Sequence, residues 1–241
     1  MAPADAAAQK ILAMIEATYQ PTHNYVTVDA RTFRHLDLKF YDKTAHKLAN
    51  KGFRTLADVE DKTITATPDG VLMPVLIRTL LSKDGTVMAA LYHPRIKPLM
   101  MRLLLWVLRK LPGKVVDMET EFTDGSFVVT SNAAAAAAID LPALISAEYL
   151  PKTASAHHVA HRHTQRVAAH IASRHGVSAK AVRTHAEVLA SQNRMNAIKA
   201  AFRNEIGGIT KEELDRLAVI GPSVTNAVHD AIRRERMKRA G

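Results

Sequence analysis

The chain has 241 residues, 47% of them hydrophobic and 23% charged, which supports a sizeable core and excludes wholesale disorder. It has no cysteine, so disulfides, thiolate catalysis and Cys-ligated zinc or iron–sulfur centres are excluded together. The net charge of +10 is uneven: residues 1–150 hold 17 Lys or Arg against 16 Asp or Glu, and 151–241 hold 16 against 7 with eight of the twelve His, so an anionic partner would meet the last third.

Ala6 to Tyr19 is alanine-rich, with Ile11, Leu12, Ile15 and Tyr19 at helical spacing, which predicts a first helix that Pro21 ends. The first residues lack the basic and apolar regions of a signal peptide, so the mature chain is expected to start here and to be cytoplasmic. A second helical pattern runs from Leu36 to Lys51, and Gly52 is placed to satisfy its last carbonyls. From Thr63 to Thr130 the punctuation changes to Asp-Gly, at Asp69-Gly70, Asp84-Gly85 and Asp124-Gly125. Asp-Gly between β-rich runs predicts hairpins, because both residues tolerate the left-handed conformation. Val71 to Leu81 and Thr86 to Tyr92 flank the second turn; Val115 to Phe122 and Ser126 to Thr130 flank the third. Between the hairpins, Ile96 to Leu111 reads as an apolar helix of about four turns, too short for a membrane span of about 20 residues.

After Asn132 come six alanines and a segment, Ile139 to Leu150, that Pro151 ends; no strand pattern follows. Helices are predicted over Ala156 to Arg174, Ala179 to Glu205 after a Ser178 cap, Lys211 to Val219 after Thr210, and Val224 to Arg239 after Ser223. Thr210 and Glu213 have the spacing of a capping box. The expected fold class is α+β: N-terminal helices, a four- to five-stranded antiparallel sheet built of Asp-Gly hairpins, and a helical C-terminal third. Residues 1–150 are expected to form the domain with the sheet, and 151–241 a basic, His-rich helical region.

Between Glu148 and Glu187 there is no carboxylate, while Tyr149 to Ala186 carry six Lys or Arg and seven His. On a helix, His163, Arg166, His170 and Arg174 form one stripe with Arg162 at its edge; Ala168, Ile171 and Ala172 share the other side with His161. Such a stripe binds phosphate or carboxylate, is simply solvated, or pairs with the chain's own acidic strand. His157 and His161 stand one turn apart and could chelate a metal, but the run His-His-Val-Ala-His lacks the Glu that would act as general base.

Asp117, Glu119 and Glu121 alternate along one strand, with successive side chains roughly 7 Å apart, and Arg78 lies on another predicted strand; together they are the candidate catalytic cluster. The apolar helix places Arg102, Trp106 and Arg109 to meet a membrane interface or a partner groove, or to cover the sheet with the Arg heads in solvent. Lys211 to Arg236 has a coarse helix-turn-helix pattern with a basic second helix.

No phosphate-binding loop, nucleophile elbow, His-Glu-x-x-His or dinucleotide fingerprint is present. The expected function is therefore non-enzymatic: a binding or adaptor protein presenting a basic helical surface to an acidic protein or an anionic membrane surface. Two other readings stand beside it, a metal-dependent hydrolase using the acidic strand with His157 or His161, and a DNA-binding protein using Lys211 to Arg239. The sequence names no cofactor.

Overall fold

Seven strands, set side by side in chain order, make the central sheet of the computed structural model, which describes residues 3–65, 73–95, 97, 113–217 and 222–240. They are β1 (Tyr25–Thr27), β2 (Phe53–Asp61), β3 (Leu76–Ser82), β4 (Met88–Tyr92), β5 (Val115–Glu121), β6 (Phe127–Ser131) and β7 (Ile145–Tyr149). All neighbours are antiparallel except β6 and β7, which run parallel. The fold class is α+β as expected, but the sheet is larger than four or five strands.

The three additional strands carry weak signals. β1 has only three residues. β2 includes Arg54, Asp58, Glu60 and Asp61, and a bulge between Thr55 and Ala57 breaks its period of two. β7 follows the alanine run; residues 132–144, with a 3-10 turn at Ala134–Ala138, carry the chain back to the starting end of β6, as a parallel neighbour requires.

The hairpin turns form for the chemical reason the sequence indicates. Asp84 Oδ1 accepts from Thr86 N at 3.1 Å and from Ser82 Oγ at 2.6 Å, and Gly85 has φ +79°. Asp124 and Gly125 repeat this, with Asp124 Oδ1 accepting from Ser126 N and Oγ. The Asp69-Gly70 turn and the apolar segment with Arg102, Trp106 and Arg109 lie outside the described residues.

The helices are α1 (Pro3–Thr18), α2 (Leu38–Ala49), α3 (Lys62–Thr65), α4 (Ala156–Ala172), α5 (His185–Glu205), α6 (Lys211–Leu217) and α7 (Pro222–Ala240). One face of the sheet packs on α2 and α4 through Leu76, Leu80, Val116 and Met118 against Tyr41 and Val159. The other face lies under α5, which touches it through Val188 at one end and Met195 farther along. A separate cluster joins Leu12 and Ile15 of α1 to Leu214, Val228 and Ile232 of α6 and α7. Packing thus crosses residue 150 in both directions, α4 onto β5 and β6, and α7 onto α1.

α5 begins six residues later than its sequence predicts. Ala179 bridges to Phe122, Lys180 N donates to Glu121 O, and Val182 N donates to Gly85 O, so residues 179–182 are held extended against the hairpin ends. Thr184 then caps α5 in a capping box with Glu187. The capping box expected at Thr210 and Glu213 forms, with both reciprocal hydrogen bonds.

Candidate functional site

The basic stripe of α4 faces the sheet. His163 is 1% exposed, with Nε2 3.0 Å from Thr120 Oγ1 and Nδ1 3.1 Å from Thr130 Oγ1. Arg166 donates to Val129 O, Thr130 Oγ1 and Ser146 O. His170 meets Ser126 Oγ at 3.0 Å and the Phe122 ring at 4.2 Å between centroids. Arg174 pairs with Asp124 at 2.6 Å, and Arg162 grips Glu148 with two hydrogen bonds. None of the five is paired with Asp117, Glu119 or Glu121. The sheet opposite α4 is polar at this end, so hydroxyls and carbonyls draw in the hydrogen-bonding stripe, and Ala168, Ile171 and Ala172 are left exposed. His157 and His161 are exposed as well, on the side that helical spacing assigned to packing.

The acidic strand points to the opposite side of the sheet. Arg78 does not join it: on the α2 side, Arg78 binds Asp58 through Nε and Nη2 and Asp42 through Nη1. Glu121 is an anchor for α5 and the segment before it. Burial alone would raise its pKa, but Arg194, Lys180 and Ser191 hydrogen-bond the carboxylate and hold it at about 2. Asp117 and Glu119 instead face a cavity of about 430 Å³ between the sheet and α5.

The cavity runs along one side of α5, where Val188, Leu189, Gln192, Asn196 and Lys199 line it. Glu121 binds Ser191 and Arg194 in the middle of α5; toward its C-terminal end, Arg203 pairs with Glu213 at 2.7 Å, both buried, and lies over the Tyr19 and Phe202 rings. Val59, Ile77, Ala90, Val129 and Leu141 give it apolar walls. Four of the chain's five tyrosines, Tyr19, Tyr25, Tyr92 and Tyr149, also line it.

The polar groups are few and individually placed. Asp61 Oδ2 lies 2.5 Å from His23 Nδ1, with the side chains 6% and 4% exposed. Asp61 Oδ1 accepts from Thr63 N, and the His23 backbone N donates to Asn193 Oδ1. Tyr92 OH donates to Asp117 Oδ2 at 2.5 Å, and the Gln192 amide donates to Glu119. Burial pushes the Asp117 carboxyl up against the pull of Ser131, Tyr92 and Lys199. Burial likewise raises Glu119 to about 7, with Lys199 opposing and Asp117 adding to the shift. Burial also lifts the Tyr92 phenol well above its ordinary value and the Tyr149 phenol to about 12.

No known family, curated protein or solved structure matches the chain. Its chemistry is therefore read from the cavity itself. Among the described residues, four buried side-chain nitrogen or oxygen atoms lack a hydrogen-bond partner, and two of them, His23 Nε2 and Asp117 Oδ1, belong to cavity-lining residues. Also among the described residues, no group of three or more His, Asp or Glu is placed to hold a metal ion, and no helix is long and apolar enough to cross a membrane.

Of the sequence candidates, Asp117 and Glu119 line the cavity; His23, Asp61, Tyr25, Tyr92, Tyr149 and Lys199 were not anticipated. His23 and Asp61 lie 38 positions apart on a loop and a strand end, and no local spacing links them.

Proposed function

We propose that the chain binds a small, mainly apolar molecule bearing an oxygen or nitrogen function inside the cavity between the sheet and α5. The observation that carries this reading is the cavity of about 430 Å³ in which apolar walls surround two unpartnered buried polar atoms. Ligand pockets have this make-up: apolar area supplies affinity, and a few fixed polar groups supply orientation. A buried polar atom left without a partner is costly, and a ligand group that satisfies it recovers that cost as binding energy.

Anilinonaphthalene sulfonate tests the reading. Saturable binding to one site per chain is expected, with a higher melting temperature as dye is added. Ala90→Trp, which puts a large ring on the cavity floor, is expected to abolish it. Equal binding by the wild type and Ala90→Trp would remove the cavity as the site. A basic-surface adaptor reading rests on α7, where Arg233, Arg234 and Lys238 are exposed, because the α4 stripe is turned inward.

A further inference from the structure

We infer that the cavity takes an apolar amine, whose ammonium group is held between Asp117 and Glu119 beside the rings of Tyr92 and Tyr149. The inference rests on the cavity being a ligand site and adds the class of ligand, a compact hydrophobic body that carries a positive charge.

Sheet register brings these residues together. Ala90, Asp117, Ser131 and Tyr149 stand side by side on β4, β5, β6 and β7, and all line the cavity. Glu119 is the next residue of β5 on the same face, roughly 7 Å along the strand. Tyr92 reaches across from β4, its hydroxyl donating to Asp117 Oδ2 at 2.5 Å. The groups act on one another: after burial, the charges of Asp117 and Glu119 both push the Tyr92 and Tyr149 phenols upward, and Asp117 adds to the rise that burial gives Glu119. His23 and Asp61 belong to another part of the cavity, with Asp61 three strands away on β2, and take no part.

What this group of side chains lacks is a cation. Asp117 Oδ1 is buried and has no hydrogen-bond partner, while the neighbouring Ser131 Oγ accepts from Ala133 N. Glu119 has a neutral partner, the Gln192 amide. Lys199 of α5 is the only Lys or Arg among the described residues that line the cavity; it acts on both carboxyls through space and forms no ion pair with either. Two carboxylates against one lysine leave a negative charge unanswered in an apolar site, which is costly. An ammonium answers it with charge-assisted hydrogen bonds, the first of them to Asp117 Oδ1. The tyrosine rings add their negative faces, and Val129, Ile139 and Leu141 supply apolar wall for the rest of the molecule.

Binding releases a proton. Tyr92 from β4, Ser131 from β6, Tyr149 from β7, Tyr25 from β1, and Gln192 and Lys199 from α5 face the two carboxyls. Burial moves the three phenols upward, away from neutral pH, so the carboxyls are the groups that give up the proton. Glu119, raised to about 7 by burial, must be ionised to hold an ammonium, so the affinity for an amine falls as pH falls through that value. A neutral ligand of the same shape makes no such demand.

The probes are 2-aminoindane and 2-indanol, which share a hydrocarbon body and differ in charge, titrated into the full chain by calorimetry with the dye assay run in parallel. At pH 8 the amine is expected to bind one site per chain about tenfold more tightly than the alcohol. Asp117→Asn, whose side chain still accepts from Tyr92, is expected to bring the amine down to the alcohol's affinity and to leave the alcohol unchanged. Between pH 8 and pH 6 the amine's affinity should fall about tenfold while the alcohol's holds. If the dye or the alcohol binds and the amine has no advantage over the alcohol, the inference is overturned and the binding reading stands. Amine binding that persists in Ala90→Trp, that is unchanged in Asp117→Asn, or that is level between pH 8 and pH 6 overturns it too. If neither dye, amine nor alcohol binds the wild type, both fall. Should Asp117→Asn fail to fold, Glu119→Gln carries the test, since its side chain keeps the Gln192 contact; an unchanged preference for the amine in that variant then overturns the inference.

Discussion

His163 and Glu119 sit on opposite faces of the sheet, and burial shifts both toward their neutral forms, with opposite consequences for stability. For His163, burial first and then the Arg166 charge lower the pKa from 6.5 to about 3. The unfolded chain therefore takes up this proton first, and stability present above about pH 6.5 is lost as pH falls toward 3, at about 1.4 kcal/mol per pH unit. Urea midpoints between pH 7 and 5 should show this slope in the wild type and less of it in His163→Gln. Glu119 runs the other way. Its folded pKa, about 7 against an ordinary 4.5, makes the folded state the better proton acceptor, so stability is full below about 4.5 and falls as pH rises through 7. Glu119→Gln, which keeps the Gln192 contact, should be more stable than wild type at pH 8 by about 1–3 kcal/mol and level with it at pH 4.

At the scale of elements, two hairpins with the same turn chemistry differ in what surrounds them. Gly85 and Gly125 share φ +79°, but a Cβ on Gly85 would lie 2.3 Å from Val182 O, whereas one on Gly125 meets nothing within 4 Å. Gly125→Ala should cost about 1 kcal/mol for the left-handed backbone alone. Gly85→Ala should cost about 2–4 kcal/mol, because it also displaces the extended segment that leads into α5. Thermal melts of the two variants make the comparison directly. The same segment explains which elements the sequence reveals. α2, α4, α6, the turns and the four strands beside them are legible because periodicity, caps and Asp-Gly act within a few residues. The start of α5 was misplaced because residues 179–182 take their hydrogen bonds from residues 85, 121 and 122, and helical propensity yields to those distant partners. β1, β2 and β7 escaped for the same reason, since pairing across the sheet and not their own pattern makes them strands.

At the scale of the molecule, the candidate site was half legible. Strand alternation placed Asp117 and Glu119 on one face, but it could not tell that Glu121 is consumed by Arg194 and Lys180, nor that Arg78 faces the other way. The rest of the cavity comes from α1, its following loop, the six other strands and α5, brought together only by the fold. Charge counting misled for a related reason: the carboxylate-free window is basic along the chain, yet its stripe is answered by Asp124, Glu148 and sheet hydroxyls from elsewhere. The reversed orientation of α4 has an effect on how the chain tolerates change. In a scan of all substitutions read by surviving folded protein, charged residues at Ala168, Ile171 and Ala172 should pass within about 0.5 kcal/mol of wild type. His163 and Arg166, the residues that look dispensable by polarity, should admit almost none. A lineage drifting under selection for folding alone would keep the histidine and the arginine and let the isoleucine go.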